Sequence, residues 1–161
     1  MAHRTRKPLL PALLALTSFA LTSPAATAAP AAPAAPAVGS ICLATAYPSF
    51  HAASVKSCNA SSSEQRWTSS GELIRLAAHP GMCLATGYPG FHAASVKSCN
   101  ASSSEQRWTS SGELIRLAAH PGMCLATGYP GFHAASVKSC NASSSEQRWT
   151  RVGELISLTA Y

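Results

Sequence analysis

From residue 39 onward, apolar residues come in short clusters separated by Ser-, Gly- and Pro-rich stretches, with no period long enough for an amphipathic helix. In the segment 80–120, Met82–Thr86 (MCLAT) predicts a first strand, and Gly87-Tyr88-Pro89-Gly90 supplies the residues of a reversal. Ser95–Cys99 (SVKSC) predicts a second strand, followed by the polar loop Asn100–Ser104. Gln106–Thr109 (QRWT) predicts a third strand, Ser110-Ser111-Gly112 a turn, and Glu113–Ala118 (ELIRLA) a fourth strand. Strand alternation puts Ile115 and Leu117 on one face of that last strand, with Leu114 and Arg116 on the other. The expected core is Leu84, Val96, Trp108, Ile115 and Leu117, and His120-Pro121-Gly122 is expected to turn the chain into the next unit. The fold class is all-β.

The same pattern occurs three times. Residues 39–79, 80–120 and 121–161 align without a gap as units of 41 residues. The first unit differs from the second only at 39, 40, 41, 46 and 49, and the third only at 151, 152, 157, 159 and 161. The expected core therefore includes Leu43, Val55, Trp67, Ile74 and Leu76, and Leu125, Val137, Trp149, Ile156 and Leu158. A period near 41 also suits propeller blades and helical arrays. Propellers usually need about four blades or more, and no helical pattern is present, so the units must close by another route. A chain so repeated offers three equivalent surfaces, which argues against one unique catalytic cleft.

The N-terminal segment reads differently. Arg4, Arg6 and Lys7 precede the apolar stretch Leu9–Leu21, and Ala26-Thr27-Ala28 gives a small-x-small cleavage pattern, so Met1–Ala28 is expected to be a secretory signal peptide. The apolar stretch is too short for a membrane-spanning helix, which needs ~20 residues. Residues 29–38 form an Ala/Pro-rich linker in which proline every third position favours an extended spacer. Removing residues 1–28 leaves nine basic residues against six acidic ones, a net charge of +3. No stripe of Lys and Arg remains to contact phosphates, so no nucleic-acid partner is expected.

Six cysteines in a secreted chain point to disulfides. Bridges Cys42–Cys58, Cys83–Cys99 and Cys124–Cys140 preserve the repeat, whereas a pattern such as Cys58–Cys83 leaves Cys42 and Cys140 to pair over a long span. Each within-unit bridge closes a loop of about 17 residues and contributes roughly 3 kcal/mol in the chain-entropy description. Metal ligation is the competing use: His79-x-x-x-Cys83 and His120-x-x-x-Cys124 look like ligand pairs, but Val38 stands at the matching place before Cys42. No metal and no cofactor are expected.

At this point the residues resemble a known family. Gly-x-Cys-Leu, a second Cys sixteen residues after the first, Gln-x-Trp and Gly-x-x-Ile together resemble one repeat of the ricin-B-type lectins. The resemblance spans residues 39–161, with Gln65-Arg66-Trp67, Gln106-Arg107-Trp108 and Gln147-Arg148-Trp149 as its clearest marks. It implies a β-trefoil of twelve strands, a six-stranded barrel capped by three hairpins, with within-unit disulfides and up to one shallow sugar pocket per repeat. The usual pocket has an Asp two residues after the first Cys, an aromatic two residues before the second, and an Asn just before Gln-x-Trp. Here those places hold Ala44, Ala85 and Ala126; Lys56, Lys97 and Lys138; and Glu64, Glu105 and Glu146. Alanine supplies no carboxylate to accept from sugar hydroxyls, and lysine no aromatic face for the ring to stack upon. The glutamine of the motif remains, and it also serves the scaffold.

A rearranged pocket is the alternative to that lost site. Its candidate ligand-binding residues are Tyr47, His51, Lys56, Glu64 and Gln65, repeated as Tyr88, His92, Lys97, Glu105 and Gln106, and as Tyr129, His133, Lys138, Glu146 and Gln147. The competing view has Phe50 plugging the core beneath its loop, Tyr47 shielding a disulfide and Glu64 solvated. Ser, His and Glu recur in every unit, but without mutual geometry they carry no case for an enzyme. Asn59-Ala60-Ser61 and its two copies are N-glycosylation sequons. The expected protein is a secreted, monomeric carbohydrate-binding module with altered or weakened sites, binding glycans or polysaccharide through several weak contacts. The alternative is a non-catalytic protein- or anionic-polymer-binding trefoil, drawing on the repeated Lys56 and Arg66.

Overall fold

The computed structural model describes residues 40–161; the expected signal peptide and Ala/Pro linker lie outside the described residues. Among the described residues, twelve strands are arranged in three sets of four. The first lobe holds β1 (Ile41–Ala46), β2 (Phe50–Ser57), β3 (Trp67–Ser70) and β4 (Leu73–Leu76). The second holds β5 (His79–Gly87), β6 (Phe91–Ser98), β7 (Trp108–Ser111) and β8 (Leu114–Leu117). The third holds β9 (His120–Gly128), β10 (Phe132–Ser139), β11 (Trp149–Val152) and β12 (Leu155–Leu158), with a short 3-10 turn at Ser145–Gln147.

Two turns fall elsewhere than the sequence pattern predicts. Ser110 and Ser111 belong to β7, paired with Ile115 and Leu114, and the loop is Gly112-Glu113. Gly112 has φ +59°, as do Gly71 (+59°) and Gly153 (+60°) in the other lobes, so the residue that tolerates the left-handed region sits at the first loop position. The second difference concerns His120-Pro121-Gly122. These residues open β9, with His120 opposite Leu117, and the reversal is made by Ala118-Ala119. Proline is tolerated there because it stands next to the strand's first residue, where a register shift interrupts the pairing.

Closure of the three lobes is cyclic. β4 pairs with β5, β8 with β9, and β12 returns to β1. Where the lobes meet at the pseudo-threefold axis, β2, β6 and β10 each bridge the other two, through Ala52↔Ser95, Ser136↔Ala93 and Ala134↔Ser54. A second ring of bonds links the β3–β4, β7–β8 and β11–β12 hairpins. The Trp67 N–H donates to Glu154 O, Trp108 to Glu72 O and Trp149 to Glu113 O, each at 2.7 Å. This threefold all-β arrangement is that of a β-trefoil.

All fifteen expected core residues are buried, and they form one cluster. The tryptophans anchor it twice over. Besides its backbone bond, each indole N–H donates to a strand carbonyl: Trp67 to Leu43 O at 3.0 Å, Trp108 to Leu84 O and Trp149 to Leu125 O at 2.9 Å. A buried indole donor left without a partner is costly, so these bonds fix the depth of the third strand of each lobe. Disulfides join Cys42–Cys58, Cys83–Cys99 and Cys124–Cys140, all within lobes, as the repeat implied.

Candidate functional site

Each lobe builds its outer surface around the hairpin between its first two strands. The Thr45 hydroxyl organises that hairpin, accepting from the Tyr47 N–H at 3.1 Å and donating to Ala52 O at 3.4 Å. Tyr47, half-buried at the edge of the core, leans on two histidines: His51 with ring centroids 5.3 Å apart, and His79 at 4.9 Å in an edge-on contact. The second lobe repeats this with Tyr88, His92 and His120, at 5.3 and 4.9 Å. In the third, Tyr129 meets His133 at 5.4 Å and Tyr161, rather than a histidine, at 4.8 Å. Sequence reasoning missed His79, His120 and Tyr161 as members of the site. Their signal was positional, since they occupy the same last place in each repeat.

Next to this cluster lies the polar loop that leads into the third strand. Glu64 O accepts from the Thr45 N–H at 2.9 Å, which docks the loop against the end of β1. Its carboxylate meets the Lys56 ammonium at 2.6 Å, and the same pair recurs as Lys97–Glu105 and Lys138–Glu146, both at 2.6 Å. Lys138 also donates to Thr127 O at 3.3 Å. Ala44 is wholly buried beneath. The places where the lectin pocket has a carboxylate, an aromatic and an amide thus hold a buried methyl group and a closed ion pair.

The motif glutamines belong to the scaffold. Gln65 is 3% exposed; its Oε1 accepts from the Asn59 N–H at 2.7 Å and its Nε2 donates to Ser57 O at 2.9 Å. Gln106 and Gln147 make the equivalent bonds to Asn100 and Ser98, and to Asn141 and Ser139. Both ends of each amide are engaged by backbone groups of the same lobe.

Phe50 does not plug the core. It is 71% exposed, and Phe91 and Phe132 are 78% and 79% exposed. A Cβ at Gly87 or Gly128 would lie within 3 Å of the Cβ of Phe91 or Phe132, whereas the first lobe carries Ala46 at the matching place. The hairpins are therefore alike in register but not identical in packing.

The charges close on one another. All six carboxylates of the Glu side chains are paired: three with the lysines above, and Glu154, Glu72 and Glu113 with Arg66, Arg107 and Arg148 across lobe boundaries at 3.5, 3.3 and 3.7 Å. Arg75 and Arg116 instead donate to Pro80 O and Pro121 O at 3.0 and 2.9 Å. Arg151 has no counterpart in the other lobes and lines a shallow cleft with Glu113, Ile115 and Trp149. Partial burial of its guanidinium lowers its pKa, although the side chain reaches solvent. Among the described residues no group of three or more His, Cys, Asp or Glu is arranged to hold a metal ion.

Comparison with known proteins matches this geometry to a family. No curated protein matches the chain significantly. Among solved structures, a non-toxic homologue of type II RIPs from bitter gourd (Momordica charantia), in complex with α-methyl-D-galactoside, superposes with a TM-score of 0.59 at 17% identity, over 75% of this chain and 48% of that one. The chain thus spans about half the length of that protein. The β-trefoil lectin of the Vibrio vulnificus hemolysin/cytolysin, with N-acetyl-D-lactosamine bound, gives 0.55 at 20% identity, over 71% of this chain and 87% of that one. The C-half of the earthworm R-type lectin, in complex with GalNAc, gives 0.52 at 10%, over 71% and 88%. At such identities the likeness concerns the fold. The family profile of the ricin-type β-trefoil lectin domain matches residues 36–149, more than half of the sequence, and the chain belongs to that family.

Proposed function

We propose that this chain is a secreted, non-catalytic carbohydrate-binding module whose sites have moved from the family's usual position to the aromatic surface beside it. The observation that carries this reading is the Lys56–Glu64 pair over a buried Ala44, repeated in every lobe. With the usual carboxylate and stacking ring absent, the groups that can meet a sugar are Tyr47 with its flanking rings and the exposed edge of the ion pair. The half-exposed Tyr face offers a surface for sugar C–H groups, and the Glu64 carboxylate and Lys56 ammonium offer an acceptor and donors. The relatives named above are described with a galactoside, N-acetyl-lactosamine and GalNAc, which supports a glycan as the ligand class. The leader-like residues 1–28 and the disulfides support an extracellular setting.

Pairing of every Glu carboxylate with a base weakens the anionic-polymer reading, because little free positive charge is left to attract polyanions. A glycan array with soluble ligands tests the proposal. Wild type is expected to retain a set of neutral glycans with little salt dependence, and the triple variants Tyr47/Tyr88/Tyr129→Ala and Glu64/Glu105/Glu146→Ala are expected to lose them. Unchanged retention by both variants on every ligand refutes the site.

A further inference from the structure

Phe50, Phe91 and Phe132 take no part in that site and lie outside the core cluster. Phe50, Phe91 and Phe132 begin β2, β6 and β10, two residues outside the points where those strands cross at the axis. Because the lobes are related by the repeat, the three rings stand at one height along the pseudo-threefold axis and so define a plane perpendicular to it. The crossing residues between them, Ala52, Ala93 and Ala134, are small and exposed, while Ala53 and Val55 of the same strand turn inward. A single exposed apolar residue needs no explanation, but here the same large aromatic is bare at the equivalent place of all three lobes.

Charge selects the partner. The lysines on these three strands are neutralised at 2.6 Å by glutamates of their own lobe, and the first residues of each strand are Phe, His, Ala and Ala. A face with no free cationic cluster does not favour an anionic membrane. Its groups are three exposed aromatic rings, each followed along the strand by an imidazole, repeated about the pseudo-threefold axis. We propose that this end is a platform for the flat, uncharged surface of an insoluble β-linked polysaccharide, with the three phenylalanines stacking on parallel sugar chains. Such polymers present axial C–H faces in register over long distances, which a concave pocket cannot grip but three exposed rings set around one axis can. Three weak contacts act together, so affinity depends on their number. The inference rests on the reading of the chain as a glycan binder, but turns on the phenylalanines, which the Tyr47 site does not use.

Co-sedimentation of the full mature chain with microcrystalline cellulose and with crystalline chitin tests it, alongside vesicles of phosphatidylcholine and phosphatidylserine. Wild type is expected in the pellet with at least one of the two polymers and not with vesicles. Phe50/Phe91/Phe132→Ala is expected to weaken that binding by about a hundredfold, with single variants intermediate. The same triple variant should keep its melting temperature, since the rings are exposed, and keep its soluble-glycan binding. Failure of wild type to bind either polymer, undiminished binding by the triple variant, or vesicle binding in place of polymer binding overturns the proposal. Loss of polymer binding alone leaves the soluble-glycan site standing; loss of soluble binding with Phe-dependent polymer binding sinks that site and not this one.

Discussion

Replacing Gln106 with Met separates a scaffold glutamine from a ligand-binding one. Methionine keeps much of the length and volume of the side chain but offers neither amide atom. The structure gives the amide two bonds, from the Asn100 N–H at 2.7 Å and to Ser98 O at 2.9 Å. Each ordinary hydrogen bond contributes about 1 kcal/mol net, and a partner left dry costs about 1–3 kcal/mol. Asn100 is exposed, so water recovers part of the loss at its N–H, and the change should cost about 2–3 kcal/mol in all. For a domain of this size a kcal/mol corresponds to roughly 3–5 °C in melting temperature, so a drop on the order of 6–15 °C is expected. Differential scanning calorimetry with the disulfides intact reads it directly. Gln65→Met and Gln147→Met should give similar drops, because their bonds fall within 0.1 Å of the same lengths. A variant that melts within a degree of wild type but no longer retains glycans refutes the argument and returns the glutamine to the binding site.

Two further perturbations probe the backbone and the bridges. Gly112→Ala forces a side chain into the left-handed region at φ +59° with no neighbour obstructing it, so its cost of about 1–2 kcal/mol is conformational alone; chemical denaturation showing no loss contradicts the hairpin assignment. Changing Cys83 and Cys99 together to Ser opens a bridge of sequence separation 16 and should cost about 3 kcal/mol by thermal or urea unfolding, with a native circular-dichroism spectrum before the transition showing that the barrel survives; an unchanged midpoint contradicts the assigned role of the bridge.

Much of the architecture was legible because the chain states it three times. The repeat limited the disulfide pairings, and strand alternation picked out Leu84, Val96, Trp108, Ile115 and Leu117. Turn placement was less legible. A run such as Ser110-Ser111-Gly112-Glu113 fits a two-residue loop in more than one frame, and the frame was set by Trp108 donating to Glu72 O and to Leu84 O, contacts between distant segments. The site was harder still. Lys56 and Glu64 are separated by a disulfide and a polar loop, so their meeting is a tertiary event. Yet the resemblance had already put them at two places of one pocket, and opposite charges brought that close pair. Phe50 eluded pattern reasoning because an apolar residue near a strand end is usually packed, and only the geometry of the crossing strands leaves it bare.

The relay of bonds from each tryptophan amide to the neighbouring hairpin has an assembly consequence. Every unit donates to one neighbour and accepts from the other, so no unit contains its own complement. An isolated 41-residue unit leaves a tryptophan donor and a glutamate carbonyl without these partners, and the ring of bonds closes only where three units meet. Covalent linkage in one polypeptide makes that meeting intramolecular, and a unit can differ locally, as at Arg151 and Tyr161, with the ring of bonds intact.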